Sequence, residues 1–219
     1  MKLHGSAISP FVQRVLMAAR VKGVAIDLVP LPKGGLEAPE FAVISPTRRI
    51  PVLEEDDGWT MVESGAMVAY LEATRPGPSL VPADPRDAAR ARSIEAIFDI
   101  DIGPGMRHFV KQKWQRLYQD QSRLDYGRDR IDCGLDAFER IGPGAGEWLA
   151  GDRPGIADII AIPVMMLGML ISESTDSGPL VTGRPAVDAW WARASATPLG
   201  RQAIDEMRAA FDKIFARKD

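Results

Sequence analysis

A single cysteine, Cys133, stands in this 219-residue chain. One thiol excludes an internal disulfide and any Cys-x-x-Cys redox or zinc site, and it fits a reducing compartment. The two histidines, His4 and His108, leave little material for a histidine metal centre or a Ser-His-Asp triad, so no metal is expected. Charge of one sign is also short. A formal net charge of -3, with lysines and arginines mixed among the acids, gives no long-range pull toward nucleic acid or an acidic membrane. No basic segment followed by an apolar run opens the chain, so no signal peptide is expected. The longest apolar run, Ile156 to Ile171, contains Asp158 and Pro163 and is shorter than the ~20 residues that span a bilayer. It reads as a buried helix. Internal repeats and low-complexity tracts are absent. Together these point to a cytoplasmic protein with neither a nucleic-acid nor a membrane partner.

What is present is an ordinary globular composition, 46% apolar and 26% charged, enough for a sizeable core in one large domain or two small ones. Lys2-Leu3-His4-Gly5 reads as a strand, and Val12, Val15, Leu16 and Ala19 then recur at helical spacing as far as Gly23, a natural C-cap. The β-branched and apolar run Val24 to Val29 reads as a second strand, completing a βαβ unit with a parallel pair. A loop rich in proline and glycine leads to a short helix near Pro39, and Ile50-Pro51-Val52-Leu53-Glu54 reads as a strand. Asp56-Asp57-Gly58 is a hairpin turn that returns Trp59-Thr60-Met61-Val62 antiparallel. Ser64 offers an N-cap to the next helix, which stops before Arg75-Pro76-Gly77-Pro78.

Past that proline-rich connection the pattern is entirely helical. Asp84-Pro85 starts a helix, Gly103-Pro104-Gly105 is expected to break or kink it, and a second helix runs from about Ser122 to Gly142-Pro143-Gly144-Ala145-Gly146. The helix after Pro154 and the helices at Pro185 and Pro198 complete the chain. The fold class is therefore a small α/β unit, residues 1–76, followed by an all-α unit, residues 84–219. Cys133 is expected to be buried in its helix.

Ser9 immediately precedes Pro10, where an N-cap residue would sit. The fragments Ser9-Pro10 with Arg14-Val15, Pro39-Glu40-Phe41, Ile50-Pro51-Val52-Leu53, Glu63-Ser64, Trp148-Leu149-Ala150-Gly151 and Ile156-Ala157-Asp158-Ile159 occur in an order that resembles the soluble glutathione transferases. The resemblance covers nearly the whole chain. It implies a thioredoxin-like N-terminal domain and an all-helical C-terminal domain that contributes an electrophile pocket, with glutathione as co-substrate. In serine-type members a serine at the start of the first helix donates a hydrogen bond to the glutathione sulfur, and Ser9 takes that role here, with Ser6 the competing hydroxyl. A free thiol has a pKa near 8.5, so a donor plus the positive end of a helix favours the reactive thiolate.

By the same resemblance Pro51 is cis and exposes the backbone of Val52 to the cysteinyl part of glutathione, while Glu63 and Ser64 hold the γ-glutamyl end. Asp158 caps the central helix. Arg48 stands where the family usually has glycine, and Leu36 and Glu37 stand where related members often carry histidine or lysine, so Arg49 and Lys33 are the cations left for the glycine carboxylate. Met106 and Phe109, with Trp114, Met165 and Met169, are candidate lining for the second substrate.

These assignments imply a glutathione transferase, functioning as a homodimer, that joins glutathione to a small apolar electrophile. The alternatives are glutathione-dependent isomerisation, dehalogenation or disulfide reduction, or a non-catalytic binding protein of this fold. Reducing members place a cysteine near the first helix and zeta-type isomerases carry a Ser-Ser-Cys-like run before it. Neither feature is found here.

Overall fold

The computed structural model describes residues 1–142, 144 and 146–215. Strands β1 (Lys2–His4), β2 (Asp27–Val29), β3 (Val52–Glu54) and β4 (Thr60–Val62) form one mixed sheet in the order β2-β1-β3-β4. β1 and β2 are parallel, as a βαβ crossover requires, and β3 is antiparallel to both of its neighbours. The second strand is shorter than its apolar run because Val24 to Ile26 lie outside the ladder.

Helix α1 (Pro10–Lys22) ends on Gly23 at φ +68°, the left-handed conformation that glycine adopts without a Cβ penalty. Helix α3 (Ser64–Thr74) packs on α1, while the short α2 (Pro39–Ile44) lies on the other side of the sheet. Alternation along β3 supplies both layers: Val52 packs with Phe41 and Ala38 beside α2, and Leu53 joins Leu3, Val12 and Val15 in the main core.

Every later element is helical. Helix α4 (Pro85–Ile97) is capped by Asp84, whose side chain accepts from the N–H groups of Arg86 and Asp87 at 2.8 and 3.0 Å. The expected break at Gly103-Pro104-Gly105 is a change of helical register instead. A π-helical turn, Phe98–Ile102, passes directly into α5 (Gly103–Phe109), and a second π turn, Val110–Trp114, follows. Gly103 N–H donates to the Phe98 carbonyl, one residue further back than in an α-helix, and Pro104 falls in the first turn of the new segment, where a missing N–H is tolerated.

Helices α6 (Gln121–Ile141), α7 (Ile156–Ser174), α8 (Pro185–Ala194) and α9 (Pro198–Phe215) complete the molecule. Of the glycine-rich segment expected to end α6, Pro143 and Ala145 lie outside the described residues, as do the last four residues of the second unit. α7 is long and apolar enough to cross a membrane by length and composition, but it is largely buried, packed against α1, α4 and α9. Cys133 corrects the sequence expectation. It is exposed, because α6 turns Ile131, Gly134, Leu135 and Phe138 inward and leaves position 133 on the opposite face.

Candidate active site

A cavity of 410 Å³ lies where the sheet unit meets α5, lined among others by Arg14, Arg49, Ile50, Pro51, Glu63, Ser64, Asp99 and Arg107. A larger cavity, 790 Å³, sits between the linker at Ser79 to Asp87 and the loop at Ala150 to Gly155. None of the residues expected to act on a substrate lines it, so the first cavity is the candidate site.

Its floor is the start of α3. Glu63 is the residue before the helix, with φ +68° and ψ 111°, and Ser64 is the first helical residue rather than the N-cap itself. Among the described residues no side chain caps this end, and its first turn lines the cavity through Ser64, Gly65 and Ala66. Ser64 is buried, and its hydroxyl accepts from Arg14 Nη1 at 3.3 Å, which leaves its own proton free to donate.

Arg14 is fully enclosed and committed. Its Nη1 donates to both Asp99 oxygens at 3.0 and 3.1 Å, and its Nη2 pairs with Glu95. Burial holds the Asp99 carboxyl above its usual range, against the opposing pull of Arg14.

One wall of the cavity is Ile50-Pro51, joined by a cis peptide bond as the resemblance implied. Val52 is not in the lining. It is fully buried and paired in register with His4 on one side and Val62 on the other. Ile50, which precedes the ladder, lines the cavity in its place. Arg49 also lines it and lies 3.7 Å from Glu63, an exposed pair.

Arg48 adopts φ +48°, a left-handed conformation that explains a glycine preference there. Leu36 packs beside Phe41 in the small cluster under α2, and Lys33 is exposed.

Ser9 occupies the N-cap position of α1, half-buried, with φ -75° and ψ 125°. Its side chain makes no capping bond. The N–H of Val12, which an N-cap hydroxyl would accept from, already donates to the Ser9 carbonyl at 3.1 Å. Among the described residues the hydroxyl has no hydrogen-bond partner. Ser9 is not itself among the cavity's lining residues, although Phe11 and Arg14 of the same helix are.

Met106 and Phe109 are also outside the lining. Both are buried in the helical core, as is Met165, while Trp114 donates to Ser174 Oγ at 3.0 Å and stacks near Phe211. The π turn rotates α5 so that Gly103, Pro104 and Arg107 meet the cavity instead. Arg107 has no hydrogen bond or ion pair among the described residues. Partial enclosure and the nearby charge of Arg49 hold its pKa below that of an ordinary arginine. Sequence reasoning did not point to Arg107, Asp99 or Ile50, which line the cavity. Only the Gly-Pro-Gly signal beside Arg107 pointed to that helix, and it gave no register.

The cavity thus carries acid at Glu63 and Asp99, a cation at Arg49 loosely paired with Glu63, a second cation at Arg107, and a helix N-terminus at Ser64. Residues 3–79 match the glutathione S-transferase N-terminal domain, and residues 94–198 match the glutathione S-transferase C-terminal domain. The chain belongs to the glutathione S-transferase family. It is 29% identical over 208 residues to a maleylacetoacetate isomerase of Pseudomonas aeruginosa, covering 93% of this chain and 95% of that one. A maleylacetoacetate isomerase of Rhizobium meliloti is 34% identical over 156 residues, 68% of this chain and 73% of the relative.

Among solved structures, a maleylacetoacetate isomerase of Methylobacterium extorquens with bound malonate and glutathione superposes with a TM-score of 0.76 at 27% identity, over 93% of this chain and 95% of that one. A glutathione transferase from Populus trichocarpa gives 0.76 at 27%, over 94% and 98%. The family fold is thus the two-part architecture described above, and enzymes of this family use glutathione. Isomerases stand among these relatives although this chain lacks the Ser-Ser-Cys-like run.

Proposed function

We propose that this enzyme binds glutathione along the cavity and uses the Ser9 hydroxyl to hold the sulfur as thiolate for attack on an electrophile. The observation that carries this reading is the charge layout around the open end of α3. The γ-glutamyl carboxylate meets the Ser64 hydroxyl and the first-turn N–H groups, Glu63 attracts the α-ammonium, and Arg49 is the cation available to the glycine carboxylate. Ile50 and Pro51, in place of Val52, supply the edge beside the cysteinyl unit. Residues 1–76 form the glutathione-binding unit in this reading, and residues 84–219 contribute the second-substrate wall.

In the reaction the sulfur lone pair forms a C–S bond at the electrophilic carbon, and the displaced electron pair leaves with the leaving group or takes a proton from solvent. A donor hydroxyl at the helix start lowers the cost of the thiolate, and each pKa unit gained multiplies the thiolate about tenfold at a pH well below the pKa. Ser9→Ala is expected to lower kcat/KM by about 10–100-fold with glutathione affinity nearly unchanged, as one lost charged hydrogen bond would do. An unchanged rate would move the role to Ser6 or elsewhere.

A second reading is favoured by Arg107, a free cation where an apolar pocket was expected, together with relatives named maleylacetoacetate isomerase and maleylpyruvate isomerase. Here the second substrate is an unsaturated carboxylic acid of that kind, with Arg107 gripping a carboxylate. The thiolate adds to the conjugated double bond, the resulting single bond rotates, and expulsion of the thiolate restores the double bond in the other geometry. Glutathione is not consumed. Quantifying glutathione before and after turnover separates the two: consumption matching product supports conjugation, and full recovery supports isomerisation. Assembly as a cytoplasmic homodimer belongs to this proposal, with exposed Trp59 and Ile100 as apolar surface a second copy would cover. Sedimentation equilibrium tests it.

A further inference from the structure

α9 reaches back across the molecule to α1. Arg20 Nη2 donates to both carboxylate oxygens of Glu206, at 2.6 and 2.7 Å, and Gln13 Nε2 donates to Glu206 Oε2 at 3.1 Å. Gln13 is fully buried, and its Nε2 has a second acceptor, the backbone carbonyl of Ala7, at 3.0 Å. Two acceptors on one nitrogen fix the amide orientation, because the flipped amide would set Oε1 against a carbonyl and a carboxylate oxygen. Among the described residues Oε1 is left buried and unpartnered. Packing alone does not account for this, since a methionine would fill the same space without a stranded carbonyl.

Ala7 is the second residue of the turn Ser6-Ala7-Ile8-Ser9, which is closed by Ser9 N–H on the Ser6 carbonyl at 2.9 Å. The peptide between the two central residues of a β-turn is the unit that differs in orientation between the common turn types. Its carbonyl here is that of Ala7, the atom Gln13 holds. Ser9 closes the same turn and opens α1.

We infer that Gln13, braced by Glu206 of the C-terminal helix, is a positioning residue that locks the Ala7–Ile8 peptide and thereby aims the Ser9 hydroxyl at the glutathione sulfur. The inference rests on the Ser9 reading above. It makes α9 a contributor to thiol activation from outside the cavity, through a contact that spans 193 positions of sequence.

The test is the pKa of the bound glutathione thiol, read from thiolate ultraviolet absorbance against pH, alongside calorimetric affinity and melting temperature. Gln13→Met removes both donations at constant length. It is expected to cut the thiolate fraction at fixed pH about tenfold, a shift of about one pKa unit, with affinity within about threefold. Glu206→Leu, at a partly exposed position, is expected to move the titration in the same direction and decides the matter if Gln13→Met does not fold. Glu206→Gln keeps an acceptor oxygen for Gln13 and is expected to restore the wild-type titration despite losing the ion pair to Arg20. Arg208→Ala breaks the pair between the same helix and Glu173 (2.7 and 3.0 Å) and is expected to lower the melting temperature only.

Lower melting temperatures in Gln13→Met and Glu206→Leu with an unmoved thiol titration would overturn the relay. Measured in parallel, Ser9→Ala separates the two claims. A raised thiol pKa in Ser9→Ala but not in Gln13→Met overturns the relay alone, whereas no rise in Ser9→Ala removes the reading on which it stands.

Discussion

Glu63 holds φ at +68° although it is not glycine, a conformation that costs on the order of 1–3 kcal/mol for a residue with a Cβ. The cost is borne in the lining of the cavity, where the Glu63 carboxylate lies 3.7 Å from Arg49. Two substitutions separate backbone from charge. Glu63→Gly is expected to raise stability by roughly 1 kcal/mol while weakening glutathione binding. Glu63→Gln keeps the strained backbone, leaves stability unchanged at this exposed position, and is expected to weaken binding about tenfold through loss of a charged contact. Thermal melts and calorimetric titration read both effects, and a destabilised Glu63→Gly would show that the conformation carries no strain.

At the scale of elements, two helices are held by contacts no single residue announces. α5 approaches α6 so closely that a Cβ on Gly105 would sit 2.6 Å from the Gly127 carbonyl oxygen and 2.7 Å from Ile131 Cγ1. Backbone cannot yield as a side chain can, so Gly105→Ala is expected to cost about 1–3 kcal/mol. It is also expected to lower activity, because α5 carries Arg107 into the cavity. Denaturant midpoints and kcat/KM check the two parts.

The start of α7 is tied by Asp158, which accepts from Leu149 N–H at 2.9 Å and Gly155 N–H at 3.1 Å. Gly155 supplies no side-chain cap, so this carboxyl is the element's anchor. Complete burial pushes its pKa up to about 7, against the backbone donors that favour the charge. The unfolded chain releases this proton near pH 3.9. Between that value and about 7 the folded state keeps a proton the unfolded state loses, so this group's contribution to stability falls as pH rises through the window and is flat above it. Asp158→Asn is expected to remove that slope, worth up to roughly 4 kcal/mol across the window. Urea unfolding at pH 5 and pH 8 measures the difference, and equal slopes in both proteins would place the titration elsewhere.

On the scale of the whole molecule, the two units are joined directly beneath the site. Arg14 from α1 bonds Ser64 of α3, Glu95 of α4 and Asp99 of the first π turn, with its Nε unpartnered among the described residues. Breaking such a buried cluster from one side leaves uncompensated carboxylates, so Arg14→Met is expected to cost about 3–5 kcal/mol. Protonation relieves an unpaired acid, and Asp99 already sits above the usual carboxylate range, so the loss is expected to be smaller at pH 5 than at pH 8. An equal loss at both would assign Arg14 a packing role alone.

Short-range chemistry was legible in the residues themselves. Gly23 as a C-cap, Asp84 as an N-cap, the Asp56-Asp57-Gly58 hairpin and the helices opened by Pro185 and Pro198 depend on neighbours a few positions away, and local sterics decide them. The family resemblance came from the order of elements together with fragments such as Ser9-Pro10, Ile50-Pro51-Val52-Leu53 and Glu63-Ser64. The lining of the candidate cavity was legible only in part: Glu63, Ser64, Arg49 and Pro51 line it and Ser9 does not, while Ile50 lines it where Val52 was expected, because Val52 is buried and paired on both sides. Met106 and Phe109 against Arg107 is a matter of helical register. One π turn rotates everything after it, and no periodicity in the sequence shows where that extra residue is accommodated. Gln13 beside Glu206, and Arg14 between two units, were beyond sequence for a simpler reason. Such contacts join positions 81 to 193 residues apart, and only the packed chain brings them within a hydrogen bond.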